Sequence, residues 1–143
     1  MAISQGVKNT MTDLGLLILR LGAAFLLIGG HGWDKFANFN ANLDKMVDPL
    51  GFGKQPSLIL AIFAEVVCAG LVGIGLLTRV TAITVAIFFV VAAFVVHQEH
   101  PLFVAQGMPA KEFALLYLVM FLTLVFTGPG RYSADGLIFR RRA

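Results

Sequence analysis

Four runs of apolar residues divide the chain, and each is long enough or nearly long enough to cross a bilayer. Leu14 to Gly30 is apolar apart from Arg20, and Leu58 to Leu77 is apolar apart from Glu65, with Pro56 and Ser57 ahead of it as helix-start signals. Val80 to Val96 follows after only Thr78 and Arg79, which predicts a tight hairpin between the second and third helices. Phe113 to Thr127 is shorter. It reaches crossing length with Lys111 and Glu112 at the interface, and Gly128, Pro129 and Gly130 stop it. The pattern predicts an all-α protein, an integral membrane antiparallel four-helix bundle with helices at about 13–31, 57–77, 80–97 and 112–127, in one domain over residues 1–143. Lys35 to Gln55 reads as a polar loop carrying one short amphipathic piece around Phe39 to Val47.

Composition sharpens this picture. With 58% hydrophobic and 13% charged residues and a mean hydropathy of +0.85, a water-soluble domain is excluded. The net charge of +3 does not indicate a nucleic-acid partner, because the basic residues are scattered except for Arg140, Arg141 and Arg142, which read as a cytoplasmic membrane anchor. The lone Cys68 excludes an internal disulfide and a CxxC thiol-redox centre. An even number of crossings groups Lys8, Arg79, Arg131 and the arginine tail on one side, against Lys35, Lys45, Lys54 and Lys111 on the other. Both termini are therefore expected in the cytoplasm, with the longer loops and all three histidines facing outward. The first run lacks a small-x-small cleavage site and is expected to stay as a permanent helix.

Few residues are equipped for chemistry. At 1.5 Å per residue, Arg20 lies about 10 Å into the first helix and Glu65 about 12 Å into the second from the opposite end. A lone charge at such depth is costly, so the expectation is an inward-facing Arg20–Glu65 ion pair. Two roles fit it: fixing how the two helices dock, or lining a site for a ligand, a proton or a quinone. His31 lies eleven residues after Arg20, close to three helical turns, so a polar stripe is expected to rise through Arg20 and His31 to Lys35, with Trp33 as an interfacial anchor.

His97 and His100 are spaced to share one metal ion, and His31 would make a third ligand, but Pro101 ends the helix at once and no supporting pattern accompanies them. No metal site is assigned, and a haem between His31 and His97 is disfavoured because both lie near the surface. Cys68 reads as packing among small residues. Tyr117 has two readings, a donor to the buried pair or an interfacial residue, with the interface favoured.

These elements have a family counterpart. Leu19, Arg20, Leu21 and Gly22, then His31, Gly32, Trp33, Asp34 and Lys35, then Ala64 and Glu65 with Gly70, and Gly75, Leu76, Leu77, Thr78 and Arg79 together resemble the DoxX family of small membrane proteins over roughly residues 14–100. The ending Gly128, Pro129, Gly130, Arg131, Tyr132, Ser133, Ala134 and Asp135 is similar to the tail common in these proteins. The resemblance implies a four-helix bacterial inner-membrane protein, multi-pass. The family name derives from subunits linked to quinone-coupled sulfur oxidation, and similar proteins have been tied to oxidoreductase complexes and to membrane-protein assembly. Matched residue by residue, it supports Arg20, His31, Lys35 and Glu65 as the polar site, a candidate ligand or proton site; His97 and Tyr117 are further candidates from their own chemistry and position, outside the resemblance. The chain departs from quinone-linked thiol oxidases, which need cysteine pairs.

Two functions follow as expectations. The first is a membrane subunit of a quinone-linked or other redox system that binds a small hydrophobic ligand near the Arg–Glu pair. The chain carries no flavin, haem-attachment or iron–sulfur motif, so no intrinsic cofactor is expected, quinone is the candidate ligand, and electrons come from a partner. The second is a noncatalytic membrane scaffold or assembly factor for a partner membrane protein. A small transporter, which would need oligomerisation, is held in reserve. The partners expected are the lipid bilayer and a protein partner or a second copy of the chain, and no catalytic residue is assigned.

Overall fold

A computed structural model describes residues 5–103 and 110–140, with the side chains of Phe139 and Arg140 left aside. Most of the arginine tail and part of the second long loop, residues 104–109, fall outside this range. All the regular structure among the described residues is helical, with no strand. Helix α1 spans Gln5–Ala37, α2 Phe39–Lys45, α3 Lys54–Ile74, α4 Thr78–Val96, α5 Glu112–Thr127 and α6 Ala134–Arg140. By length and composition α1, α3 and α4 can each cross a membrane, and α5 is a shorter apolar helix.

The distribution of side chains inverts that of a water-soluble protein. Phe25 and Phe126 are 76% and 78% exposed, whereas Arg20 and Glu65 are buried. An apolar solvent reverses the usual preference in this way. The shared core draws on α1, α3, α4 and α5, and small residues dominate it: Ala23, Ala69, Ala82, Ala86 and Ala93 alternate with Leu27, Val72, Val85 and Phe121. Where lipid is as apolar as leucine, close van der Waals approach replaces the hydrophobic drive, and small residues permit it.

Helices α1 and α3 run in opposite directions with a well-defined register. A Cβ added at Gly73 would stand 3.0 Å from Ala24 Cβ, one at Gly70 would touch Ile28, and one at Gly32 would stand 2.7 Å from Val66 and 3.0 Å from the Glu65 carbonyl. This register decides which charges meet.

The α3–α4 connection differs from the expected turn at Thr78 and Arg79. Helix α3 stops at Ile74 because Gly75 adopts φ +76°, with the Leu76 amide donating to the Leu71 carbonyl and the Gly75 amide to Val72. That is a Schellman ending, which glycine accommodates without strain. Thr78 and Arg79 instead form the first turn of α4. Helix α1 is longer than the expected 13–31, because its polar residues from Gln5 onward continue the helix and Trp33–Ala37 extends it beyond the glycines.

Helix α6 went unforeseen in the chain's apolar pattern. Ser133 opens it: its hydroxyl accepts from the Gly136 amide at 2.9 Å and donates to the Gly130 carbonyl at 2.7 Å. Asp135 then reaches across to the start of α4, accepting from the Leu77 amide at 2.8 Å and from the Thr78 amide and hydroxyl at 2.9 Å each. Leu77, in the capping position of α4, has no side chain able to do this, so the cap comes from another element.

Candidate functional site

The polar side chains collect in two clusters at opposite ends of the helices. At the end that carries α6, Arg20 is fully buried, and its guanidinium donates to the Tyr132 carbonyl at 2.5 Å and to the Gly73 carbonyl at 3.4 Å. It passes directly over Gly75, where a Cβ would stand 1.9 Å from Nη1 and 2.5 Å from Ser133. Arg131 closes the same end, its amide donating to Asp13 at 2.8 Å. These contacts tie the C-terminal segment to α1 and to the α3–α4 turn.

The expected Arg20–Glu65 pair is therefore overturned. Arg20 is level with Gly73 and Gly75, and Glu65 lies eight residues before Gly73, a rise of about 12 Å along α3. Depth counted from each helix end placed the two charges together only because the helix limits and the register were unknown. With α1 starting at Gln5 and Gly32 set against Glu65, the cation opposite the carboxylate belongs to the last turn of α1.

That cation is Lys35, whose Nζ donates to Glu65 Oε2 at 2.5 Å in a salt bridge. The Glu65 side chain is 4% exposed and that of Lys35 25%. His31 stands close enough to interact electrostatically with the same carboxylate, and so does Tyr117. Tyr117 is buried inside the protein, against the interfacial position favoured for it. Its ring stacks on Phe89 with centroids 5.0 Å apart and stands edge-to-face with His31 at 5.7 Å and 88°.

Glu65, Lys35, His31, Tyr117 and His97 all border one cavity of about 910 Å³, with walls mostly of apolar and aromatic side chains from α3, α4 and α5. Of the six residues singled out from the sequence, it gathers five and leaves out Arg20. His97 lies at the rim with its Nδ1 2.9 Å from that of His100, one ring donating and the other accepting. Burial, with the charges of His100 and Lys111, holds His97 below the ordinary histidine range, which favours the neutral ring this contact needs.

Local helix geometry aims these groups. Glu65 lies within a π-helical stretch, Phe63–Cys68, His31 within another at Ile28–Gly32, and His97 directly follows a third at Ala92–Val96. Each widened turn shifts the phase of the helix, so a face read off at 3.6 residues per turn does not persist through it. The single stripe expected through Arg20 and His31 is broken in this way.

One wall was not anticipated. Lys45 at the end of α2, and Met46, Val47, Pro49, Leu50 and Phe52 between α2 and α3, border the cavity. Asp48 shapes this segment by accepting from the Gly53 amide at 2.7 Å, the Ser57 hydroxyl at 2.9 Å and the Phe52 amide at 3.1 Å. These bonds, the Gly53 amide first, hold the Asp48 carboxyl below the usual range. An aspartate nine residues before a serine, with glycines between, was the available signal for a closed loop.

Among the described residues no group of three or more histidine, cysteine or acidic side chains is disposed to hold a metal ion. Cys68 is buried among core residues with its thiol unpaired.

Comparison with known proteins gives the same family as the sequence resemblance. The model of the DoxX family matches residues 15–98. A protein of Haemophilus influenzae described as uncharacterized is 32% identical over 88% of this chain and 92% of its own length. The inner membrane protein YqjF of Escherichia coli is 30% identical over 92% of this chain and 97% of its own length. No solved structure matches.

Proposed function

The chain belongs to the DoxX family, and we propose that it serves in the bacterial inner membrane as the ligand-holding subunit of a redox system, seating a small hydrophobic molecule of the quinone class in the cavity beside Lys35 and Glu65. One observation carries this reading: an ion pair with a buried carboxylate, Lys35–Glu65, forms part of the wall of an otherwise apolar and aromatic cavity of about 910 Å³. Ligand sites have this character, largely apolar with a few convergent polar groups, and volumes of about 300–1,000 Å³. The residues fit a head of the quinone–quinol class, since Lys35 gives one N–H to Glu65 and has others left for a head oxygen, and the stacked Phe89 and Tyr117 rings offer a flat wall. When bound, the quinone supplies the electron chemistry, and the electrons enter from a protein partner. The chain's own residues orient the head and exclude water.

Both termini lie in the cytoplasm in this reading. The turn preceding α4 and helix α6 share one end, joined by Asp135 and Gly75, and that end carries Arg79 and Arg131 ahead of the arginine tail. The cavity then opens toward the outer side.

The test is native mass spectrometry of the full chain in detergent, with extraction of lipids and cofactors. A quinone should accompany the wild-type protein and be lost in Glu65→Gln and Lys35→Met variants that stay folded. No quinone in any sample, together with a protein partner that survives both substitutions, would overturn this reading in favour of a noncatalytic assembly role.

A further inference from the structure

Two polar groups at the cavity wall are less than fully used. Lys35 occupies Glu65 Oε2, and Glu65 Oε1 has no hydrogen-bond partner among the described residues. The Tyr117 hydroxyl likewise has none, although Tyr117 is only 8% exposed and borders the same cavity. Neither atom is sealed off from the cavity, so a ligand that displaces water there must replace the hydrogen bonds it removes or leave these groups unsatisfied. The two atoms ask for opposite things. A carboxylate held by an ammonium is an acceptor only, whereas a phenol hydroxyl can donate.

We infer that the cavity selects an amphiphile whose aromatic head bears a hydroxyl, a phenol or quinol, over the corresponding carbonyl or ether. The head's O–H donates to Glu65 Oε1, and a head oxygen accepts from the Tyr117 hydroxyl. A head that offers only acceptors sets its lone pairs against those of Oε1 and leaves the carboxylate half satisfied. The ring lies among Tyr117, Phe89 and His31, already arranged as one stack and one edge contact. The tail occupies the apolar remainder, where Leu60, Ile87 and Phe113 form part of the wall. This inference rests on the cavity being a ligand site and adds the hydrogen-bonding sense of the ligand that fills it.

The experiment compares para-octylphenol with its methyl ether, which keeps the oxygen and the ring but loses the donor. Each is equilibrated with the full-length protein in phosphatidylcholine nanodiscs, and uptake by empty nanodiscs is subtracted. The phenol should bind wild-type protein at least about tenfold more tightly, as expected for a hydrogen bond to a charged acceptor. In Glu65→Gln that ratio should fall to within about threefold. In Tyr117→Phe both probes should weaken by a similar factor with the ratio kept, because the ether oxygen still accepts. The Tyr117→Phe result stands even where Glu65→Gln fails to fold. Equal binding of the two probes by wild-type protein, or an undiminished ratio in folded Glu65→Gln, would overturn the inference while leaving the cavity as a ligand site. Binding of neither probe would remove both readings.

Discussion

Lys35 on α1 and the buried Glu65 on α3 form a part-buried ion pair with Nζ 2.5 Å from Oε2, and the α1–α3 register that brings them together keeps Arg20 away. Removing Lys35 leaves the buried Glu65 carboxylate without its counter-ion and removing Glu65 leaves a part-buried ammonium unpaired, while removing both leaves no orphan. Lys35→Met and Glu65→Gln should each destabilise the protein by on the order of 3 kcal/mol. The double variant should lose less than the sum. Unfolding of all four forms in one detergent, taken as a double-mutant cycle, measures the coupling, and additive losses would mean the pair contributes nothing specific.

Arg20 should behave differently. Its partners are the carbonyls of Gly73 and Tyr132, so Arg20→Leu should loosen the C-terminal segment, at a cost of about 2–4 kcal/mol, without changing how much ligand the folded fraction holds. Gly75→Ala should be at least as damaging, since its Cβ would collide with the guanidinium and its φ of +76° disfavours any side chain. Limited proteolysis near Arg131, alongside ligand retention, separates these effects. Loss of ligand from folded Arg20→Leu would contradict the division into two clusters.

Asp135 caps α4 from a helix more than fifty residues further along the chain. Asp135→Ala removes the acceptor for two amides and the Thr78 hydroxyl, and should cost about 1–2 kcal/mol. Amide hydrogen exchange at Leu77 and Thr78 should accelerate by more than tenfold, while exchange in the middle of α4 changes little.

The Asp48 loop should respond to acid. Its carboxyl is held below the ordinary value, chiefly by the Gly53 amide, so the folded loop favours the charged form. The loop's order is then complete above the unfolded aspartate pKa of about 3.9 and is lost as pH falls through the lower folded value. Exchange at the Phe52 and Gly53 amides should rise in that acidic window in wild-type protein. Asp48→Asn should show raised exchange already at neutral pH, with no step on acidification.

Much of the fold could be read along the chain. Long apolar runs broken by single charges allow few arrangements in a bilayer, because each backbone amide must find its partner inside the same helix. The start of α5 near Glu112 and its stop at Gly128 were visible for this reason. Helix α6 was not, since seven residues with mixed polarity carry too weak a periodic signal.

The candidate site was legible in its members and illegible in its pairing. Burial cost alone marked Arg20 and Glu65 as residues that must turn inward, whatever they met. Their partners depended on where α1 begins, on a glycine contact that sets the register of α1 against α3, and on widened turns at Ile28–Gly32 and Phe63–Cys68 that rotate the faces beyond them. Such quantities arise between helices. A one-dimensional pattern records how deep a charge sits but not which neighbour lies at that depth, and the eight residues of α3 that separate Glu65 from Gly73, where Arg20 lies, decide that a lysine and not an arginine meets the carboxylate.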